Sequence, residues 1–355
     1  MLLVNDPGSW GHIYPPLRHA EWHGWTPTDL IFPFFLFIVG VTTHLSLSAR
    51  RARGASTGDL TRQVLRRGAI IVLLGLVLAA FPFFPTDRLA HVRIPGVLQR
   101  IGVVYLVTGL LVLRTSGRVQ AAIAAAVLLG YWLVLALVPI PGIGVPALAP
   151  PDATLAAWMD RLLLDGHLWA ETRTWDPEGP LSTLPAVATC LLGVFAGRWI
   201  TRPLPLPERL NRLFAGGALG LLAGSAWNWV FPINKNLWTS SYVVFTAGMA
   251  CLTLATCMWL VEERRSTWWT RPFVVFGVNP IVAFAGSEAM ARLIYSVIEV
   301  PFHGASVPLE TAVYRGAFAS WLPPEAASLA FALGFVAFWY VILDALYRRG
   351  LVVKI

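Results

Sequence analysis

Charge is scarce in this chain. Aspartate, glutamate, lysine and arginine make up 13% of the 355 residues while 56% are hydrophobic, against roughly 25% charged in an average soluble domain. Mean hydropathy is +0.64. That shortage excludes a soluble globular fold and indicates a polytopic membrane protein. Cysteine is nearly absent as well: Cys190, Cys251 and Cys257 all fall in apolar stretches, an odd number without paired spacing. They give neither a disulfide framework nor a zinc motif, and read as small core residues. A glycine-rich phosphate loop with its lysine, a nucleophilic serine elbow and a cleavable signal peptide are also missing. A cofactor fold of the soluble type is thereby excluded. The formal net charge of +8 would suggest nucleic acid in a soluble chain, but here the basic residues gather in short loops between apolar runs. Orientation in a bilayer accounts for them, and no nucleic acid is expected.

What is abundant is apolar helix. A hydrocarbon core of about 30 Å takes about 20 helical residues, and nine stretches meet that need: Thr28 to Ala49, Gln63 to Phe84, Val97 to Leu113, Gln120 to Ile140, Leu184 to Ile200, Leu213 to Phe231, Ser241 to Val261, Phe273 to Val300 and Ala326 to Tyr347. The expected fold is an all-α transmembrane helix bundle with nine complete spans plus an N-terminal partial span, Met1 to Asn5. Such a stub marks an internal start or a lost first helix, a tenth span that upstream in-frame codons would reveal. Alternate loops separate the basic residues. Eighteen fall on one side, among them Arg50, Arg51, Arg66, Arg67, Arg114, Arg198, Arg264, Arg271, Arg348 and Lys354, and seven on the other, namely Arg18, Arg88, Arg93, Arg161, Arg173, Lys235 and Arg315. The positive-inside rule makes the first side cytoplasmic, with the C-terminus, and puts the loop of His19 outside. The outer loop at 141–182 is an acidic cap with a short amphipathic helix expected at Leu155 to Leu164. GVNP (Gly277 to Pro280) should break a span, because proline removes a backbone donor.

Polar, protonatable groups beside a hydrocarbon-spanning bundle mark functional sites. The stretch Leu17 to Gly40, LRHAEWHGWTPTDLIFPFFLFIVG, runs a loop dense in histidine and tryptophan into an apolar helix. His12, His19 and His23 stand there, with Asn5 before them and Asp29 just inside the helix. Histidine alone takes and gives protons near neutrality with an unperturbed side chain. Interfacial hydrogen bonding explains any one of them singly, and a metal at His19 and His23 lacks a third ligand. Arg93 and Arg100 flank a helix start, where they either cap or hold an anionic or hydroxyl-rich ligand. Asp176 and Glu178 in WDPEG offer carboxylates beside an aromatic ring, as a sugar or an amine needs. Asn234, Lys235 and Asn236 form a compact polar cluster, and Asn279 sits at the broken span. Glu288 and Arg292 pair at i, i+4. Spacing alone stops at a multispan protein with a polar outer site, carrier or enzyme.

Several segments in order resemble the heparan-alpha-glucosaminide N-acetyltransferase family and its bacterial relatives: VNDPG, RHAEWHGWTPTDLIFPFFLFIVG, RIPGVLQRIG, WDPEGPLSTLP, PINKNLWTSSY and FGVNPIVAFAGSE. The resemblance implies a single transmembrane acyltransferase domain over 1–355 that moves acetyl from cytoplasmic acetyl-CoA to the amine of an amino sugar or glycan fragment outside, without metal. It places the family's essential histidine on His19 and its asparagine on Asn5. Asp29 would orient the imidazole. Asp176, Glu178, Asn234, Asn236, Arg93 and Arg100 are the expected acceptor-binding residues, and Arg66, Arg67, Arg271 and Asn279 the expected acetyl-CoA contacts. The chain lacks the serine-leucine-aspartate and arginine-glycine pattern that opens the family's first helix, and the extracytoplasmic domain of the animal enzyme. Location in a bacterial-type inner membrane follows, with the lipid bilayer as partner and a homodimer left open. The alternative is a secondary transporter for amino sugars or cell-wall fragments.

Overall fold

A computed structural model describes residues 1–353, the side chains of Asp87 and Arg88 excepted. Lys354 and the Arg88 side chain, counted above, lie outside the described residues. The chain runs through α1 (Leu2–Asn5), α2 (Ile31–Ala52), α3 (Thr57–Ala80), α4 (Val97–Arg114), α5 (Gly117–Leu137), α6 (Leu155–Leu164), α7 (Pro180–Ile200), α8 (Leu206–Trp227), α9 (Ser240–Met258), α10 (Arg271–Val278) and α11 (Pro280–Ser296). A short antiparallel hairpin, β1 (Glu299–Phe302) and β2 (Ala305–Pro308), then leads to α12 (Leu309–Val313) and α13 (Pro324–Arg348). Among the described residues, seven helices are long and apolar enough to cross a bilayer, or eight if the bent pair α10 and α11 is one span. The amphipathic helix expected at Leu155 to Leu164 is α6.

Local chemistry sets the ends. α2 is entered through a 3-10 turn, Pro27–Leu30, with Thr26 as cap, Pro27 in the first position and Asp29 closing a capping box. Proline suits that position because its missing N–H has no helical partner there. Arg50 and Arg51 fill the last turn of α2, where cations favour the negative end of the helix dipole. α3 starts at Thr57, six residues ahead of Gln63, because Ser56 accepts the N–H of Asp59 and caps it. Composition located the apolar stretch; the cap fixed the helix. The expected span Phe273 to Val300 is two helices, bent by 81° at Asn279–Pro280, and it ends at the hairpin.

α7 is the axis of the bundle: 72% of its apolar window is buried, against 28% for α3 and for α5. α2 lies on it with almost no side chain between. A Cβ on Gly40 would meet the carbonyl of Cys190, and one on Gly193 the carbonyl of Phe37. Small residues at such contacts let backbones approach where no hydrophobic drive separates helix from lipid. α2, α4, α7 and α9 begin at the same end, since the segments that open them line one cavity. At the opposite end arginines tie the helices together: Arg50 donates to Gln63 at 2.8 Å, Arg51 to the Leu113 carbonyl at 3.4 Å, and Arg198 to Gln120. Roughly 33 Å separates the two ends along α2, at 1.5 Å per residue.

Candidate active site

The histidine loop is pinned before it is functional. Thr26 Oγ1 donates to the Arg18 carbonyl at 2.6 Å, and the Gly24 N–H to the Ile233 carbonyl at 2.7 Å. The Trp22 indole donates to the Leu148 carbonyl at 2.8 Å. Gly24, at φ +99, makes a turn that a side chain would strain. These bonds bring His19 over the first turn of α2. There Asp29 Oδ1 lies 2.6 Å from His19 Nδ1, with the carboxylate 1% and the imidazole 47% exposed. A carboxylate only accepts, so Nδ1 carries the proton of this pair, which in the neutral imidazole leaves the lone pair on Nε2. Asp29 Oδ2 accepts from the N–H of Ala20 and of Thr26, each at 3.0 Å. The Asp29 carbonyl accepts from Tyr242 Oη at 2.5 Å. An acid held by so many donors cannot turn away, and the imidazole is oriented by it.

His19 opens on a cavity of about 390 Å³, within the 300–1,000 Å³ usual for ligand sites. Asn5, Arg93, Glu178, Lys235 and Asn236 line it, with Trp169 and Trp175 as aromatic walls and Ile31, Phe32 and Val97 as an apolar base. A second cavity of about 420 Å³ shares Asn5, Arg93, Val97 and Trp169 and adds His91, Gln99, Glu288 and Arg292. Arg93 joins the two. It donates to both Asp176 oxygens, at 2.8 and 2.6 Å, and to Glu178 at 2.5 Å, and its guanidinium lies 5.5 Å from the Trp169 ring centre. Burial raises the Glu178 carboxyl, but Arg93, Arg100 and Lys235 more than reverse that and hold it below the usual range. Burial lowers Arg93, and Asp176 and Glu178 overturn the effect and raise it. Glu178 therefore faces the cavity as a carboxylate that is already paired. Four helix N-termini around one cavity add positive potential, which suits an anion developing there.

The expected site residues fall into three groups. Asn5, His19, Arg93, Glu178 and Asn236 line the cavity, with Asp29 and Asp176 holding two of them. Asn234 and Arg100 are buried beside it. Asn234 caps its own loop by accepting the Leu237 N–H at 2.8 Å and contacts His23 Nδ1 at 3.4 Å. Arg100 donates to Ser182 and to the Gly179 carbonyl and lies 5.0 Å from the Trp238 ring. His23, lowered by burial, is thus engaged apart from His19. Among the described residues no group of three His, Cys, Asp or Glu could hold a metal. Arg66 and Arg67 line a separate cleft of about 430 Å³ with Arg50, Asp59 and Gln63 at the arginine end. Arg271 is ion-paired with Asp344 at 2.9 Å. The Asn279 amide is spent on the backbone of Leu351, at 3.0 Å, and of Val353, at 2.8 Å. Sequence reasoning gave Lys235 only as part of a polar cluster and Trp175 only as an aromatic beside two carboxylates, with no role for either, and left Trp169 out; the lysine's signal was its place between two candidate asparagines on the side poor in basic residues.

The family model for the catalytic part of heparan-alpha-glucosaminide N-acetyltransferase matches residues 4–223, a stretch that holds Asn5, His19, Asp29, Arg93 and Glu178. The chain belongs to this family. Similar curated proteins are the heparan-alpha-glucosaminide N-acetyltransferases of Homo sapiens, 31% identical over 339 residues, and of Mus musculus, 30% identical over 341. These matches cover 81% and 82% of the chain but 50% and 51% of the relatives, so the chain spans about half the length of the curated proteins it matches.

In this heparan-alpha-glucosaminide N-acetyltransferase family member one carboxyl behind the site carries a pH signature. Asp160 Oδ2 accepts the Asp176 N–H at 2.9 Å, while Oδ1 is buried without a partner. Burial, aided by the Asp176 charge, pushes it from 3.8 up to about 7. The folded protein then binds a proton that the unfolded chain has released, so this stabilisation is full below pH 3.8 and is lost as pH rises through about 7. Asp160→Asn keeps the acceptor and removes the charge. It is expected to raise the melting temperature by several degrees near pH 8, by clearly less near pH 5, where Asp160 is ionised only in the unfolded chain, and hardly at all below pH 3.8; an equal shift at pH 8 and pH 5 would refute the account.

Proposed function

We propose that this chain is a transmembrane acetyltransferase that moves an acetyl group from acetyl-CoA, at the arginine end, to the amine of an amino sugar or glycan fragment in the His19 cavity. The observation that carries it is the His19–Asp29 pair, oriented by buried bonds and opening on a ligand-sized cavity, in a chain of this family. The acceptor amine must be neutral to attack a thioester. His19 Nε2, with its lone pair free of Asp29, takes that proton, or attacks first and carries the acetyl group. Either route builds a tetrahedral oxyanion, and the side-chain amide of Asn5 on the cavity wall supplies a donor to it. Trp169 and Trp175 give a sugar its apolar faces, and Asn236, Glu178 and the Arg93–Asp176 pair its hydroxyl partners. Arg50, Arg66 and Arg67 in the opposite cleft suit the phosphates of CoA; Arg271 and Asn279, committed elsewhere, are weaker contacts.

The arginine partition supports a cytoplasmic arginine end and C-terminus and nine spans, in a bacterial-type inner membrane, with residues 1–355 acting as one acyltransferase domain, alone or as a homodimer. The test is transfer of labelled acetyl from acetyl-CoA to glucosamine by the purified protein in detergent. Labelled N-acetylglucosamine is the expected product. The 81° break between α10 and α11 is the feature that favours a carrier. Amino-sugar uptake into vesicles without thioester consumption would replace the enzyme with that second function.

A further inference from the structure

We propose that Lys235 is the cation that holds the oxyanion during acyl transfer, a role that rests on the acetyltransferase function above. The loop that presents it is over-determined. Asn234, fully buried, donates its N–H to Thr239 Oγ1 at 3.0 Å, accepts the Thr239 N–H at 3.1 Å, and caps Leu237. Tyr131 Oη holds the Leu237 carbonyl at 2.5 Å, and the Trp238 indole donates to Thr189 at 3.0 Å. Trp238 sits at φ +52, a conformation that a large side chain adopts only when its surroundings enforce it. A backbone fixed so firmly turns two consecutive side chains, Lys235 and Asn236, into the His19 cavity.

The ammonium lies 3.1 Å from His19 Nδ1, 3.2 Å from Nε2, and 3.8 Å from Asp29 Oδ1. Nearly equal distances to the two ring nitrogens put the ammonium over the imidazole face and off the in-plane lone pair of Nε2, so the atom through which His19 acts stays open. An ammonium has three N–H groups, and a thioester carbonyl placed against Nε2 lies within reach of one of them. When the amine attacks, the carbonyl π pair moves onto oxygen, and His19 takes the proton from nitrogen. Lys235, beside Asn5, donates to that oxygen. The pair then returns to re-form the carbonyl, the thiolate leaves, and the proton on His19 passes to sulfur, giving amide and thiol.

The charged groups facing Lys235 are His19 and Asp29, Glu178 from the segment before α7, and Arg100 from α4. Burial lowers the lysine, while Glu178 and Asp29 pull it back up and Arg100 opposes them. The charged form is the working form, so activity falls as pH rises through the lysine's lowered pKa.

The experiment compares the wild type, Lys235→Met and Lys235→Arg in detergent, each with its melting temperature, over about pH 6 to 10. Lys235→Met is expected to lower kcat by about 10²–10³ with KM for glucosamine little changed, and to erase the alkaline limb of the profile. Lys235→Arg should recover part of kcat and stay active to higher pH, because a guanidinium does not titrate there. A Lys235→Met enzyme with near wild-type kcat overturns the proposal, as does the loss of the acid limb in its place, which would make neutral Lys235 the base. Should the methionine variant fail to fold, the wild type and Lys235→Arg decide: superimposable alkaline limbs overturn the proposal. A wild type that transfers no acetyl removes this role together with the acetyltransferase function, whereas an active wild type with an indifferent Lys235→Met removes this role alone.

Discussion

His19→Ala is expected to lower acetyl transfer to glucosamine by at least about 10³, in the upper part of the range for a positioned acid–base group, and beyond it if His19 carries the acetyl. Asp29→Asn separates the two contributions of the pair. The asparagine fits the same pocket and still accepts from Ala20 or Thr26, but it cannot take the Nδ1–H with the strength of a carboxylate, nor hold the imidazole's tautomer. A loss of about 10²–10⁴ in kcat with KM nearly unchanged is the expected outcome, by analogy with other acid-oriented imidazoles. Steady-state rates with labelled acetyl-CoA measure both. His19→Ala activity within tenfold of the wild type would remove the imidazole from the chemistry.

Gly193→Val should prevent folding altogether. Its Cβ would overlap the Phe37 carbonyl of α2, which belongs to a helix backbone and cannot move aside as a side chain can. The same holds in reverse for Gly40 against Cys190. Separating α2 from α7 would open the packing of the most buried span of the bundle and shift Asp29, at the entry to α2, away from His19. We expect a loss of about 4 kcal/mol or more, the size that marks a disrupted core, seen as aggregation during detergent extraction. Gly130→Ala on α5 is the control, since a Cβ there meets nothing within 4 Å. A monodisperse Gly193→Val protein with wild-type melting would show that the two helices do not need that contact.

The helices were legible because hydropathy over about 20 residues responds to a single solvent, the bilayer. Their ends were less so: α3 begins where Ser56 caps it and not where its apolar residues begin. GVNP announced a break, since proline and asparagine act locally, but the 81° angle comes from packing against α13 and the tail. At the site, His19 and Asn5 were recognised from motifs. Asp29 could be inferred as their neighbour because a capping box ties it to the adjacent loop. Lys235 could not. Its distance to His19 spans 216 positions and depends on a loop whose shape is set by Asn234, Trp238 and Thr239 together. The Arg93–Asp176–Glu178 unit shows the same limit: each residue was a candidate alone, but only folding shows that Arg93 occupies both carboxylates.

The capture of the final residues by Asn279 has a practical side. Both ends of that amide hold the backbone at Leu351 and Val353, so a purification handle or fluorescent fusion inserted right after Val353 would start almost on top of the knot. A bulky or rigid fusion there would pull on the bend between α10 and α11, and through α11 on Glu288 and Arg292 in the second cavity wall. Reporter designs for this protein need a long, flexible spacer after Val353, and an inactive fusion without one would say more about the spacer than about the His19 site.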